Sequence, residues 1–407
     1  MNDAPEVSGQ VDVAETKSNT FSEHVAGYLT RLRRGDVGML PILLGLIVIA
    51  IIFQSLNENF LSPRNFVNLI VQMAGITVIA IGVVYVLLLG EIDLSIGYVS
   101  AVTAVFMTLR LREPDSWPWL LAILAGLALA ALIGLTQGFF ITRFQLPSFV
   151  VTLAGLLVWN GVVLLMIGSS GTVVIQDSVI ISIANYFLPP LWGWIVGGAV
   201  VLFFTLGLLN EVRIRRARNM PTVPMGIIAL QIALLALVTF AAVYIANQDR
   251  GVPLVGLIML VLLVIFTFIA NRTRFGRYVY AIGGNKEAAR RAGISVERIR
   301  MIVFMLSSVM AGAGGIILAS RLRSVDTASG GGSLLLNSIA AAVIGGTSLF
   351  GGSGRVVSAF LGALVIATIE NGMGLLNVSA GVKFVVTGSV LLIAVLVDAI
   401  TRRARQS

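Results

Sequence analysis

Long apolar runs, broken by short polar or basic stretches, fill this chain from about residue 38 to residue 400. A helix that crosses the hydrocarbon core of a bilayer needs about 20 apolar residues. By that measure the runs at 38–56, 66–89, 96–110, 117–141, 148–168, 188–209, 225–245, 253–270 and 301–319 each predict a spanning helix. Further on, Gly345, Gly346, Gly351, Gly352 and Gly354, then Gly372 and Gly374, divide the apolar stretch into pieces at 335–349, 355–371 and 381–400. The pattern predicts an all-α polytopic membrane protein of about twelve transmembrane segments, some of them broken.

Composition agrees. Charged residues are 12% of the 407 and hydrophobic ones 57%, whereas soluble domains carry about 25% charged residues. Such a chain needs a bilayer as its solvent. Residues 1–36 read as a polar cytoplasmic tail, with Phe21–Arg34 a short surface helix within it. Residues 37–401 form the transmembrane domain and 402–407 a basic cytoplasmic tail.

The net charge of +9 lies in clusters between the apolar runs, the placement that marks a cytoplasmic face. With the N-terminus inside and twelve spans, 21 of the 28 basic residues face the cytoplasm and 7 face outward. Both termini are then inside. An odd number of spans would invert the later clusters. No nucleic-acid-binding pattern accompanies the charge, so nucleic acid is not an expected partner.

Several chemistries are excluded. There is no cysteine, and the single histidine, His24, lies in the polar tail, so neither a thiolate nucleophile nor a histidine metal site is available at membrane depth. No metal or cofactor is expected. An intramembrane enzyme also lacks a Ser–Lys pair there. The acidic N-terminus, with Asp3, Glu6, Asp12 and Glu15, does not read as a cleavable signal. No Gly-x-x-x-x-Gly-Lys-Ser/Thr occurs, so ATP, if it drives this chain, must be bound by another subunit.

The longest cytoplasmic loop, 271–300, carries the most information. Asn285 is a good N-cap, Glu287 suits a first helical turn, and Gly293 supplies a left-handed stop. Lys286 to Ala292 therefore predicts a capped two-turn helix bearing Ala288, Ala289 and Ala292, suited to docking in a partner's groove. A plain basic connector would not need both caps.

The string Gly283-Gly-Asn-Lys-Glu-Ala-Ala-Arg-Arg-Ala-Gly293 resembles the coupling loop of sugar permease subunits in bacterial ABC importers of the ribose/xylose/galactose type. Glu91-Ile-Asp-Leu-Ser-Ile-Gly97, Pro147–Gly155 and Ile339–Gly352 resemble further signatures of that family, in collinear order over about residues 40–400. Glu91, the extra pair of spans at 188–250 and Asp249-Arg-Gly-Val-Pro253 resemble its xylose subgroup. One stretch departs: Leu335-Leu-Asn-Ser-Ile-Ala340 stands where the family usually has Glu-Leu-Asp-Ala-Ile-Ala, so two acidic groups are missing.

The resemblance implies a permease homodimer in the bacterial inner membrane, importing a monosaccharide, D-xylose first among pentoses. Its partners would be a cytoplasmic ATP-binding subunit and a periplasmic sugar-binding protein. It also implies that Gly283, Gly284, Asn285, Glu287, Ala288, Ala289, Arg290 and Gly293 couple to the ATPase. The alternative is an ion-coupled secondary transporter of a small polar solute. That reading expects buried carboxylate relays and a long central loop between six-span halves, whereas the longest loop here follows the eighth span.

Candidate pathway groups are Gln72, Glu91, Asp93, Asn160, Glu370 and Asn371, polar residues in or beside apolar runs. Ionisable groups at membrane depth are costly and often functional. Asp93 or Ser95 also suits the cap of a helix beginning at Ile96, and buried amides also serve as glue between helices. The cluster Gly312–Gly315 reads as close helix packing, and 345–354 as a broken helix beside the pathway.

Overall fold

The computed structural model describes residues 40–220 and 222–406. The polar tail expected over 1–36 lies outside the described residues. Among the described residues, twelve apolar helices coincide with the twelve predicted runs. Eight are long and apolar enough to cross a membrane, and four are shorter.

Two compact units divide the chain. In the larger, α1 (Leu40–Leu56) leads to α2 (Pro63–Leu88), α3 (Ile96–Arg110), α4 (Trp119–Arg143), α5 (Ser148–Ile167) and the short α6 (Ser178–Asn185). The smaller unit, Trp194–Ala242, holds most of α7 (Pro190–Ala217) and α8 (Met225–Asn247). Only 11% of the most apolar stretch of each is buried, as expected of helices that lay their side chains against lipid. Within it Trp194 and Phe240 lie 5.9 Å apart. The larger unit resumes with α9 (Leu254–Arg272), α10 (Arg274–Gly284), α11 (Lys286–Arg291), α12 (Val296–Leu322), α13 (Leu334–Ile344), α14 (Val357–Leu375) and α15 (Ala380–Gln406). The last helix runs through most of the expected basic tail.

α12 is the central helix of the larger unit and packs on α2, α3 and α4. Its small residues make that possible. A Cβ on Gly312 would meet Thr103 and Ala130 at 3.0 Å, and one on Gly315 would fall on the carbonyl of Ser100. Small residues let membrane helices approach backbone to backbone, so the close-packing expectation for 312–315 holds.

The structure adds features to the all-helical expectation. Strand β1 (Thr172–Val174) pairs antiparallel with β4 (Ser324–Asp326), Val173 opposite Val325. Strand β2 (Phe187–Leu188) pairs with β3 (Val252–Pro253). Helix α6 was not expected, because eight residues are too few to show as an apolar run. Its start is nonetheless specified: Asp177 Oδ1 accepts from the N–H groups of Val179 and Ile180, each at 2.9 Å.

The loop 271–300 is also more ordered than its reading as a connector with one helix. Thr273 caps α10 by accepting from Gly276 N at 3.2 Å. Val279 and Ile282 are buried on one face, with Phe275 packed against the core beside them. That is helical spacing, but over too short a run to compete with the spans around it.

Candidate functional site

Chain chemistry gathers at the two ends of α2. At its start, Ser62 caps the helix and Pro63 occupies the first turn, where a missing N–H costs nothing. Asn65, Asn68 and Gln72 then recur at helical spacing. They form a polar stripe that faces a cavity of about 450 Å³, within the usual size of a small-molecule site. Arg321 from the end of α12, Glu370 and Asn371 from α14, and Lys383 from α15 complete its polar lining.

The walls are fastened by amides. Asn65 Nδ2 donates to Asn371 Oδ1 at 2.7 Å, and Asn371 Nδ2 returns a bond to Asn65 Oδ1 at 2.9 Å and reaches Gln72 Oε1 at 3.2 Å. Behind Glu370, the buried Asn337 of α13 donates from Nδ2 to Glu370 Oε1 at 2.5 Å and to Ser333 Oγ at 3.1 Å. At the rim Arg250 donates to Asn68 Oδ1 at 2.6 Å and pairs with Asp249 at 2.8 Å. The cavity thus offers amides, one carboxylate and two cations inside an otherwise apolar bundle, the equipment for a neutral polar solute rich in hydroxyl groups.

Of the sequence candidates, Gln72, Glu370 and Asn371 come together here. Asn65, Asn68, Arg321 and Lys383, which share the lining, and Asn337, which bonds Glu370 behind it, were not among the sequence candidates. The three asparagines and glutamines of α2 were legible as a stripe at i, i+3 and i+7. Lys383 and Arg321 sit at run ends, where a charge looks like a membrane boundary.

Glu91 and Asp93 belong to the other end of α2, about 35 Å away at 1.5 Å per helical residue. There Gly90, at φ +75°, ends the helix. Its N–H bonds Leu87 O at 2.8 Å while Glu91 N bonds Val86 O at 3.2 Å, the paired closure that a left-handed glycine permits. Glu91 meets Arg300 at 2.5 Å, with 13% and 7% of their side chains exposed. Asp93 accepts from Ser95 N at 3.0 Å, Ser95 Oγ at 2.7 Å and Ser307 Oγ at 3.3 Å. Ser95, in the cap position of α3, makes no side-chain cap bond. Asp93 is therefore a tie between the α2–α3 break and α12. Asn160 stands half-buried on α5, away from the cavity lining.

Main chain meets main chain at this second end. Gly352 N donates to Leu88 O at 2.9 Å. A Cβ on Gly283 would fall on that same carbonyl, and one on Gly351 would crowd Gly283 O and Gly90 N. Tyr280 donates to Gly354 O at 2.9 Å. Burial raises its hydroxyl above the ordinary tyrosine value, against the opposing pull of Arg355, so it remains a donor. The broken segment 345–354 thus abuts α10 and the end of α2, and supplies no residue to the cavity lining.

Next to this seam, α11 is capped as the sequence predicts. Asn285 Oδ1 accepts from Ala288 N at 2.9 Å. Gly293, at φ +81°, closes the helix with Gly293 N to Arg290 O at 3.0 Å and Ile294 N to Ala289 O at 3.1 Å. Ala288 and Ala292 are exposed, but Ala289 is buried. One residue further is about 100° around a helix, which turns Ala289 from the expected docking face toward the protein. Arg290 pairs with Glu287 within α11 and with Glu297 of α12, each at 3.0 Å.

Apolar helices that line a polar cavity with side chains of several spans are the architecture of a multi-pass membrane transport protein. Residues 65–395 match the family described as the branched-chain amino acid transport system / permease component, and the chain belongs to that family. It is 36% identical over 403 residues to the xylose transport system permease protein XylH of Escherichia coli strain K12, covering 95% of this chain and 99% of that one. The Haemophilus influenzae XylH is 34% identical, covering 90% and 98%. The ribose import permease protein RbsC of Bacillus subtilis is 33% identical, covering 87% and 91%. None of the solved structures matches the chain. The chain is thus a bacterial inner-membrane permease subunit and not an enzyme.

Proposed function

We propose that this chain forms the membrane pathway of an ATP-driven pentose importer, with D-xylose as its sugar. The observation that carries the reading is the hydroxyl-compatible cavity among apolar helices. The xylose and ribose permeases among the relatives support the choice of a pentose. Twelve spans with both termini inside follow from the charge bias of 21 to 7 and from the twelve apolar helices. In that orientation the cavity faces the periplasm, where a loaded sugar-binding protein delivers its cargo. The seam and α10–α11 face the cytoplasm, where Asn285–Gly293 dock on an ATPase subunit, and two copies of the chain work as a homodimer. A ligand shifts a conformational equilibrium only by binding two states differently, so the loaded binding protein, rather than free sugar, triggers the cycle.

The test is a deletion strain given labelled xylose, ribose, arabinose and glucose, with ATP depletion and collapse of the proton gradient in separate arms. Loss confined to xylose and sensitivity to ATP are expected. Intact xylose uptake with loss of another monosaccharide would retire the sugar but keep the class. Uptake that follows the proton gradient would retire the ATP-driven reading.

A further inference from the structure

Asn337, in the stretch Leu335–Ala340 of α13, lies directly behind the cavity wall at Glu370. Asn337 is 2% exposed. Its amide nitrogen gives one hydrogen to Glu370 Oε1 and the other to Ser333 Oγ, and its Oδ1 accepts no hydrogen bond. The bond to Glu370 needs a donor at 337 and an acceptor at 370. Reversing the amide would set its oxygen against the carboxylate.

We infer that Asn337 is a positioning residue for transport: it fixes Glu370 toward the cavity as an acceptor for a substrate hydroxyl. This rests on the cavity being the sugar pathway. The Asn337 amide does not titrate, so the donor side of the contact stays the same at every pH and leaves Glu370 free to ionise. A carboxylate in the same place would titrate. Two carboxylate oxygens at hydrogen-bond distance cannot both be ionised; they must share one proton. The charged groups facing Glu370 are Arg321 from α12 and Lys383 from α15, while α2 presents the neutral Asn65, Asn68 and Gln72 and α14 its own Asn371. Neither cation forms an ion pair with Glu370 among the described residues, so Asn337 is the group that orients it.

The decisive variant is Asn337→Asp, tested in cells by labelled D-xylose uptake across external pH, to which the periplasm responds. Wild-type uptake is expected to show no loss toward alkaline pH. The variant should keep uptake at acid pH, where the shared proton bridges the two carboxyls, and lose roughly tenfold per pH unit once that proton leaves. The double variant N337D/E370Q reverses donor and acceptor and has no shared proton to lose, so the alkaline loss should disappear, whatever its rate. A flat profile for Asn337→Asp at wild-type level would overturn the proposal while leaving the pentose reading intact.

A second readout needs no sugar. Infrared difference spectra of the purified full-length chain should show a protonated-carboxyl band in Asn337→Asp over and above the wild-type signal, and no such added band in N337D/E370Q. If Asn337→Asp inserts in the membrane but lacks that band at acid pH, the two groups do not share a proton and the inference falls. If the wild type carries no xylose yet the band appears, the pentose reading fails and the pairing stands.

Discussion

Arg300 and Glu91 form an ion pair with little access to water, and such a pair is most informative when cut. Removing one partner leaves a buried charge uncompensated, at a cost of about 3–5 kcal/mol. Replacing both with apolar residues of similar size is often neutral. Arg300→Met should therefore lower the thermal midpoint of the detergent-solubilised protein sharply. The double variant R300M/E91L should regain most of the loss. A single variant as stable as the wild type would mean that the pair is solvated.

At this scale the sequence was partly legible. A polar residue inside an apolar run is conspicuous, which is why Gln72, Glu370 and Asn371 stood out. Glu91 and Asp93 were equally conspicuous, yet they tie helices together at the opposite end of α2. A sequence gives the cost of burying a group but not the partner that offsets it. Asn337 was visible as a departure, but its partner lies 33 residues further along the chain.

Three helices end at the seam or beside it in the same manner: α2 at Gly90, α11 at Gly293 and α13 at Gly346, each with φ between +75° and +100°. In each, two successive N–H groups turn back onto the last helical carbonyls. The left-handed conformation is open to glycine and is a true outlier for a β-branched residue. Gly293→Val should open the end of α11 without affecting insertion, because no Cβ clash accompanies it. The expected result is normal amounts of protein in the membrane, uptake below a tenth of wild type by the factor that about 1.4 kcal/mol represents, and loss of sugar-stimulated ATP hydrolysis in the reconstituted complex. Stimulation at the wild-type level would remove α11 from the drive train. The caps of α11 were legible because Asn and Gly are specific signals. Helix α10 was not, because its apolar face is brief and the basic residues around it looked like a loop.

On the scale of the whole molecule, the length of hydrocarbon that a helix must cross made all twelve apolar helices legible. The same ruler is blind to short elements, so α6 and the two small strand pairs escaped it. Orientation is tested by single cysteines in a chain that has none. A cysteine in place of Asp177, which caps α6, should react with an impermeant thiol reagent added to intact cells. Cysteines in place of Asn219, in the turn between α7 and α8, and Lys286, at the start of α11, should be labelled only after the membrane is opened. Labelling of the latter two in intact cells would overturn the proposed sidedness.

The seam between Gly283, Leu88 and Gly352 is built from main-chain atoms, whereas the cavity about 35 Å along α2 is walled by side chains. Heredity acts on the two unequally. A codon change re-equips the cavity with a new donor or acceptor and leaves the seam's geometry alone. At Gly283 any replacement adds an atom where the Leu88 carbonyl already stands, and at Gly351 one that crowds Gly283 O and Gly90 N. On the proposed reading, the coupling end of the molecule tolerates few substitutions while the cavity end tolerates many. A lineage of such permeases could change diet one side chain at a time without rebuilding the motor that serves them.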